Sequence, residues 1–362
     1  MASVWAGQET GPGVLLIGLL LPPEEAQGNS LRQGAELGVA HANETGSPPA
    51  RLVVRGRLGQ WGADGEEAAR MALDDGVGGL IAPPGGVPSH LTLQVAGRTA
   101  IPVVSLCADS SVVGAGVPWM AQLAPGNVAE ARAIFAGVAR GQPGRRPRWG
   151  ACVPGERAGR EAARDLLAAA EGAGCSLASL VRADPRLTNF AATAQQILAG
   201  KPEAVLLWLD PVPAGRLAQA LRASGFTGTL AGPGRLASGD FAASGGNAAE
   251  GVIIPAICRD LASERVFARF AAGYRARFGG APDATAALAY DAARLLIERL
   301  RRPRSSPPQQ VFSLAEPLAG ASGPLQFDKS GRRLVELELL VARAGRFEPL
   351  ASNDRQAPNL PQ

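Results

Sequence analysis

Apolar residues recur in two alternating rhythms, and their order predicts a succession of strands and helices. Residues 14–21 form an unbroken apolar run of strand length, closed by Pro22 and Pro23. Residues 29–43 then place Leu31, Ala35, Val39 and Ala42 at helical spacing. The succession continues with strand 51–55, helix 65–75 (Ala68, Ala69, Ala72, Leu73), strand 79–82, helix 89–97 and strand 101–105. It restarts with helix 127–139 (Val128, Ala131, Phe135, Val138), strand 149–153, helix 159–171 and strand 177–181. Helix 189–198, capped by Thr188 or Asn189, precedes strand 204–209, helix 214–224 and strands 229–231 and 252–255. Two long helices follow. Helix 263–278 carries the core stripe Phe267, Phe270, Tyr274 and Phe278, and helix 284–300 runs into Arg299, Arg301 and Arg302, which suit the negative end of its dipole. A Pro/Ser linker is expected at 304–309, then strands 325–327 and 334–342 around the turn 328–331, and a last strand near Phe347. Strands alternating with short helices imply right-handed crossovers and mostly parallel sheets, hence an α/β fold in two doubly wound lobes.

Composition narrows this picture without redirecting it. The 362 residues allow about two domains, and 46% hydrophobic residues allow a sizeable core in each. Gly and Pro (46 and 29) sit between apolar runs, as turns do, not in one disordered tract. The net charge of +4 is almost all arginine on the basic side, with Lys201 and Lys329 the only lysines. No nucleic-acid-binding motif accompanies that charge, and the densest basic run, 140–148, reads as a solvated loop. The cysteines, Cys107, Cys152, Cys175 and Cys258, are too widely spaced for a zinc site. They are either two disulfides or buried thiols, and their apolar surroundings favour mostly thiols. No apolar stretch is long enough to span a membrane. Residues 1–13 lack the basic and apolar regions of a signal peptide, while Val4-Trp5-Ala6 has the small-residue spacing of a peptidase site. The start is thus either an export product whose leader has been removed or an ordinary ragged terminus.

Catalytic patterns are missing. There are two histidines, His41 and His90, and no GxSxG, Walker lysine or HExxH motif. Gly232-Pro233-Gly234-Arg235-Leu236-Ala237 fits GxGxxG/A after a strand but lacks the chain-start context of a dinucleotide site. Carboxylate pairs such as Asp74/Asp75 and Glu66/Glu67 lie on polar helix faces. These absences favour a binder, with no catalytic residue, metal or cofactor.

Four stretches, in this order and spacing, carry a family resemblance: IGLLLPPEEAQGNSLRQGAELGVAHAN; GVGGLIAPP with IPVVSLCADSS; FTGTLAGPGRLA with AAEGVIIPA; and ALAYDAARLL with GPLQFDKSGRR. The chain resembles the type I periplasmic solute-binding proteins, in particular the branched-chain amino-acid (Leu/Ile/Val) branch that feeds ABC importers. The resemblance implies two lobes joined by a three-segment hinge: 13–124 with 256–328, and 125–255 with 329–350, leaving 1–12 and 351–362 as tails. It implies a ligand held in a cleft at the carboxyl ends of strands from both lobes, with hinge closure around it.

Polar and glycine residues gather in the loops that follow the apolar strands. Gly85 and Gly86 open such a loop, whose amides could hold an anion, and Ser89 is either the cap of the next helix or a ligand contact. Matching by spacing puts Gly86 where the family typically has a carboxylate-binding hydroxyl, and Asp109, in Cys107-Ala108-Asp109, where it has a threonine. The covering aromatic falls on Ala158, and the acid that pairs with the α-amine falls on Gly234, beside Arg235. An ionised Asp109 repels a ligand carboxylate. The charge pattern is thereby inverted, with acid at Asp109 and base at Arg235 and Arg157. Either the ligand carries a cationic or amide group near Asp109, or Asp109 and Arg235 pair across the cleft or face water. Gln27 and Asp210 are further ligand candidates, and Trp208 is either cleft or core. The expected role is a receptor for a small polar solute, an amino acid or related compound. It is expected to be exported to the periplasm, to partner a membrane ABC permease, and neither to bind nucleic acid nor to insert into the membrane. The alternative is a ligand-sensing module of the same fold with no transport role.

Overall fold

The computed structural model describes residues 13–23, 25–56, 63–141, 146–184, 188–302, 311–312 and 316–350. Its first segment runs β1 (Leu15–Leu21), α1 (Glu25–Thr45), β2 (Ala50–Gly56), α2 (Ala63–Leu73), β3 (Gly79–Ala82), α3 (Gly86–Thr99), β4 (Val103–Ser105), α4 (Ser111–Gly114) and β5 (Met120–Gln122). The second runs α5 (Asn127–Gly141), β6 (Arg148–Pro154), α6 (Arg157–Gly172), β7 (Ser176–Ala183), α7 (Phe190–Ala199), β8 (Ala204–Leu207), α8 (Pro211–Ala223), β9 (Thr229–Ala231), α9 (Gly239–Gly245) and β10 (Ile253–Ile257). Then come α10 (Leu261–Phe278), α11 (Ala284–Arg301), β11 (Leu318–Gly320) and β12 (Gly323–Leu325), and finally β13 (Leu337–Arg343) and β14 (Arg346–Pro349).

These segments form two compact units. Unit 1 contains the chain up to Pro125 with Arg259–Val335, and unit 2 contains Gly126–Cys258 with the chain from Glu336. Unit 1 is built on a five-stranded sheet in the order β2-β1-β3-β4-β5, every pair parallel. The seven-stranded sheet of unit 2 has the order β14-β13-β10-β9-β8-β6-β7. Strands β7 to β10 repeat the unit 1 order, and β13 and β14 add to it antiparallel. In both sheets the strand order reverses beside the first strand, at β1/β3 and at β6/β8, the kind of switch point where open α/β sheets leave a crevice for ligands.

The period of two along each strand explains why both sheets are covered on both faces. In β1, Ile17, Leu19 and Leu21 pack with Leu31, Ala35 and Val39 of α1 and Leu295 and Leu296 of α11. Leu20 points the other way, into Ala68 and Met71 of α2 and Val95 and Ala96 of α3. Unit 2 does the same: Val205 and Leu207 of β8 face α7 and α8, and Ala204 and Leu206 face α5 and α6. The aromatic stripe of α10 is core in part, with Phe270 and Tyr274 buried against Tyr290 and Phe267 and Phe278 packed on that cluster at its edge.

Several sequence expectations shift. Val14 is 45% exposed, so β1 starts at Leu15. The three-residue strands β5 and β11 were not expected. The strand predicted at 325–327 is β12, and Phe327 bridges Arg333 instead. The third crossing lies after Val335, not after residue 328, because Arg332 bridges Gln122 and Arg333 is buried within unit 1. The second lies after Cys258, because β10 runs on to Ile257. All four cysteines are free thiols, Cys107 and Cys152 buried and Cys175 and Cys258 partly so. The linker 304–309, the tails 1–12 and 351–362, and 142–145 of the basic run lie outside the described residues.

Candidate functional site

In unit 1 the loops that follow β3 and β4 carry most of the expected residues. Gly85 precedes α3 with φ 151°, a backbone setting that suits glycine, and Gly86 is the first helical residue. Ser89 is therefore inside the helix and not its cap. Its hydroxyl is fully buried and lies 2.7 Å from Ser105 Oγ. Ser105 Oγ in turn lies 3.1 Å from Cys107 Sγ and accepts the Cys107 N–H at 3.2 Å. Burial pushes the Cys107 thiol above its ordinary range, against the pull of the two serine hydroxyls. Gln122 donates through Nε2 to the Cys107 carbonyl at 3.0 Å, while its buried Oε1 has no hydrogen-bond partner.

Asp109, 5% exposed, is held from two sides. Ser111 donates to Oδ1 through its N–H at 2.9 Å and its hydroxyl at 2.8 Å, and His90 Nε2 lies 3.2 Å from Oδ2 and 3.0 Å from Ser111 Oγ. A carboxylate so placed is an acceptor built to take hydrogen-bond donors. Ala108 is half-buried between Cys107 and Asp109. Gln27, half-buried near the start of α1, is not part of this hydrogen-bonded network. Sequence reasoning named Ser89, Cys107 and Asp109 and missed Ser105, His90, Ser111 and Gln122. Ser111 had a usable signal, since Asp-x-Ser spacing favours the turn seen here.

Unit 2 gathers its candidates after β6, β8 and β9. Arg157 and Ala158 open α6 and are exposed, and Arg157 donates to Glu161 one turn on, at 2.7 Å. Asp210, before α8, lies 3.3 Å from Arg235 Nε, and Arg235 also donates to the Trp208 carbonyl at 3.3 Å. Trp208 is core, 1% exposed, with its indole N–H donating to Asn127 Oδ1 at 2.9 Å. Asn127 donates in turn to Asp165 Oδ2 at 3.1 Å. The GxGxxG/A match is a three-residue 3-10 turn, Gly234–Leu236, and not the helix start that a dinucleotide pyrophosphate needs.

Glu130 was missed altogether. It lies in the first turn of α5 on the face that also buries Ala131, Ile134 and Val138, and Gly234 donates its N–H to Glu130 Oε1 at 3.0 Å. Burial raises its carboxyl to about 7, although Arg235 and the Gly234 N–H pull the other way. An acid in the apolar stripe of a helix is the signal that could have found it.

Among curated proteins none matches the chain significantly. Solved structures match it along most of its length. The leucine binding protein LivK of Thermotoga maritima superposes with a TM-score of 0.78 at 18% identity, covering 93% of this chain and 98% of that one. The branched-chain amino acid transporter substrate binding protein LivJ of Streptococcus pneumoniae, in complex with isoleucine, gives 0.78 at 14% identity, covering 93% and 99%. An ABC transporter solute binding protein of Rhodopseudomonas palustris, in complex with benzoate, gives 0.76 at 18% identity, covering 96% and 100%. These likenesses establish the type I periplasmic binding protein fold. The family model described as periplasmic binding protein matches residues 17–335, and the chain belongs to that family.

Proposed function

We propose that this protein is the solute-binding receptor of an ABC importer, working in the periplasm and delivering its ligand to a membrane permease. The observation that carries this reading is the family match over residues 17–335, joined to the polar groups at the strand ends of each unit. In this reading the ligand is a small polar solute, an amino acid or related compound, taken at one end by the β3 and β4 loops and at the other by the β6, β8 and β9 loops, with hinge closure around it. The residues assigned to it are Gln27, Gly85, Gly86, Ser89, Cys107, Ala108 and Asp109 from unit 1, and Arg157, Ala158, Asp210, Gly234 and Arg235 from unit 2. Asp109 selects for an amide or cationic group, since a carboxylate set there repels another.

The relatives point to amino acids and benzoate as first probes. A thermal-shift screen of amino acids, amides, polyamines and aromatic acids is expected to yield a hit that raises the melting temperature by a few degrees. In calorimetry D109N is then expected to weaken that hit roughly tenfold or more. No hit from any class overturns the receptor reading. A hit that D109N leaves unchanged removes Asp109 from the site.

A further inference from the structure

We propose that Glu130 determines ligand specificity in unit 2: its carboxylate takes a cationic nitrogen of the ligand, and binding drives a proton off the carboxyl. This deepens the receptor reading and rests on it. The side chain is 7% exposed, yet one hydrogen bond holds it, from Gly234 N–H to Oε1, and Oε2 has no hydrogen-bond partner among the described residues. The unpaired oxygen of a largely buried carboxylate is open to a donor that the protein does not supply. Arg235 does not, because it is engaged with Asp210 Oδ1 and the Trp208 carbonyl.

The position is also a receiving one. Gly234 follows β9, at the carboxyl ends of the parallel strands, and has no side chain to cover the acid. A Cβ on Gly234 would lie 2.8 Å from Glu130 Oε1 and 2.8 Å from the Pro255 carbonyl oxygen. Any side chain at Gly234 would therefore displace the Glu130 carboxyl, and glycine keeps the acid in place there. The Gly234 N–H serves Oε1, which leaves Oε2 as the acceptor for an ammonium or guanidinium group.

The charges around Glu130 explain the proton. Among the elements packed on α5, β10 carries no charged residue and β13 carries Glu338 and Arg343. Helix α6 carries Arg157, Arg160, Glu161, Arg164, Asp165 and Glu171, with Asp165 held by Asn127 and Arg164. Arg235 is the charge that acts on Glu130, and it does not offset the burial that raises the carboxyl to about 7. At neutral pH the group is therefore shared between its acid and its carboxylate, and a cationic ligand selects the carboxylate.

The test is calorimetric titration of the full chain and of E130Q with L-leucine, L-arginine, putrescine, benzoate and 4-methylpentanoate. Each is run in buffers of different ionisation heat. At least one amine-bearing probe is expected to bind, releasing about 0.9 proton at pH 6 and almost none at pH 8.5. E130Q keeps an oxygen for the Gly234 N–H, so its melting at pH 5.5 should match the parent. It is expected to weaken the amine probe roughly ten- to hundredfold and to abolish the proton release. Amine binding that is unchanged in E130Q, or that releases no proton, overturns the proposal. Binding of benzoate or 4-methylpentanoate alone also overturns it while leaving the receptor reading intact, whereas binding by no probe overturns both.

Discussion

Asp291 and Arg333 of unit 1 are both buried, and Ser322 joins them. Ser322 donates its hydroxyl to Asp291 Oδ2 at 2.6 Å and accepts from Arg333 Nη1 at 2.9 Å. Asp291 also takes the N–H groups of Ala321 and Ser322 at 2.7 Å each, and Arg333 reaches the Pro324, Leu123 and Ser322 carbonyls. Burial raises the Asp291 carboxyl and lowers the Arg333 guanidinium to about 10. D291A strands three donors and a buried cation, and is expected to lower stability in urea denaturation by about 3–5 kcal/mol. Glu130 imposes a pH dependence of known sign. Its carboxyl rises from 4.5 to about 7 on folding, so the folded chain holds the proton more tightly than the unfolded one. Its stabilisation is complete below pH 4.5 and fades as pH climbs to about 7, a change of roughly 3 kcal/mol. Denaturation between pH 4.5 and 8 should show this slope in the parent and lose it in E130Q. Burial likewise raises the thiols of Cys107 and, to about 12, Cys152. Iodoacetamide at pH 8 is expected to alkylate those two only after unfolding, as mass spectrometry would read.

The strands hold their place by alternation. Leu19 faces α1 and α11 with no exposed surface, so L19A removes contacts that the sheet cannot close over and should cost about 2–5 kcal/mol in equilibrium unfolding. The turn after Asp328 depends on glycine for another reason. Gly331 has φ +85°, and a Cβ there would lie 2.2 Å from the Met120 carbonyl oxygen. G331A should therefore destabilise by more than the roughly 1 kcal/mol of an ordinary left-handed alanine, by the same measurement. Long periodic elements were legible because each contributes several repeats, as 284–300 nearly coincides with α11, and 79–82 and 229–231 coincide with β3 and β9 because each is an apolar run between turn residues. β5 and β11 were not, since neither three-residue strand stands out as an apolar run of its own. The cap reading of Ser89, one of the two the sequence left open, fails because Gly85 starts the helix one turn earlier.

Across the whole molecule, the chain passes between its units three times, and each unit completes its fold with segments from both halves of the sequence. Helices α10 and α11 cover unit 1, and β13 and β14 extend the sheet of unit 2. Any solute that binds only the folded chain stabilises it by mass action. At one hundred times its dissociation constant, the hit from the screen should add about 2.7 kcal/mol, and the melting temperature should keep rising with the logarithm of its concentration. A melting temperature that stops rising at low occupancy would show that the bound form is not the one that resists unfolding.

The linear order of apolar runs already dictated the α/β class, the restart of the strand-helix rhythm in a second lobe and the loops in which polar residues would gather, because these follow from local periodicity. Family resemblance placed Asp109, Gly234 and Arg235 on those loops. What the chain's order could not reveal was which side chains meet. His90 reaches Asp109 from the preceding helix α3, Ser105 joins Ser89 to Cys107, and Glu130 arrives beside Gly234 across 104 positions. Such pairings, and the burial that raises Glu130, arise only when sheet and helices pack, since desolvation is a property of the surroundings and not of the residue.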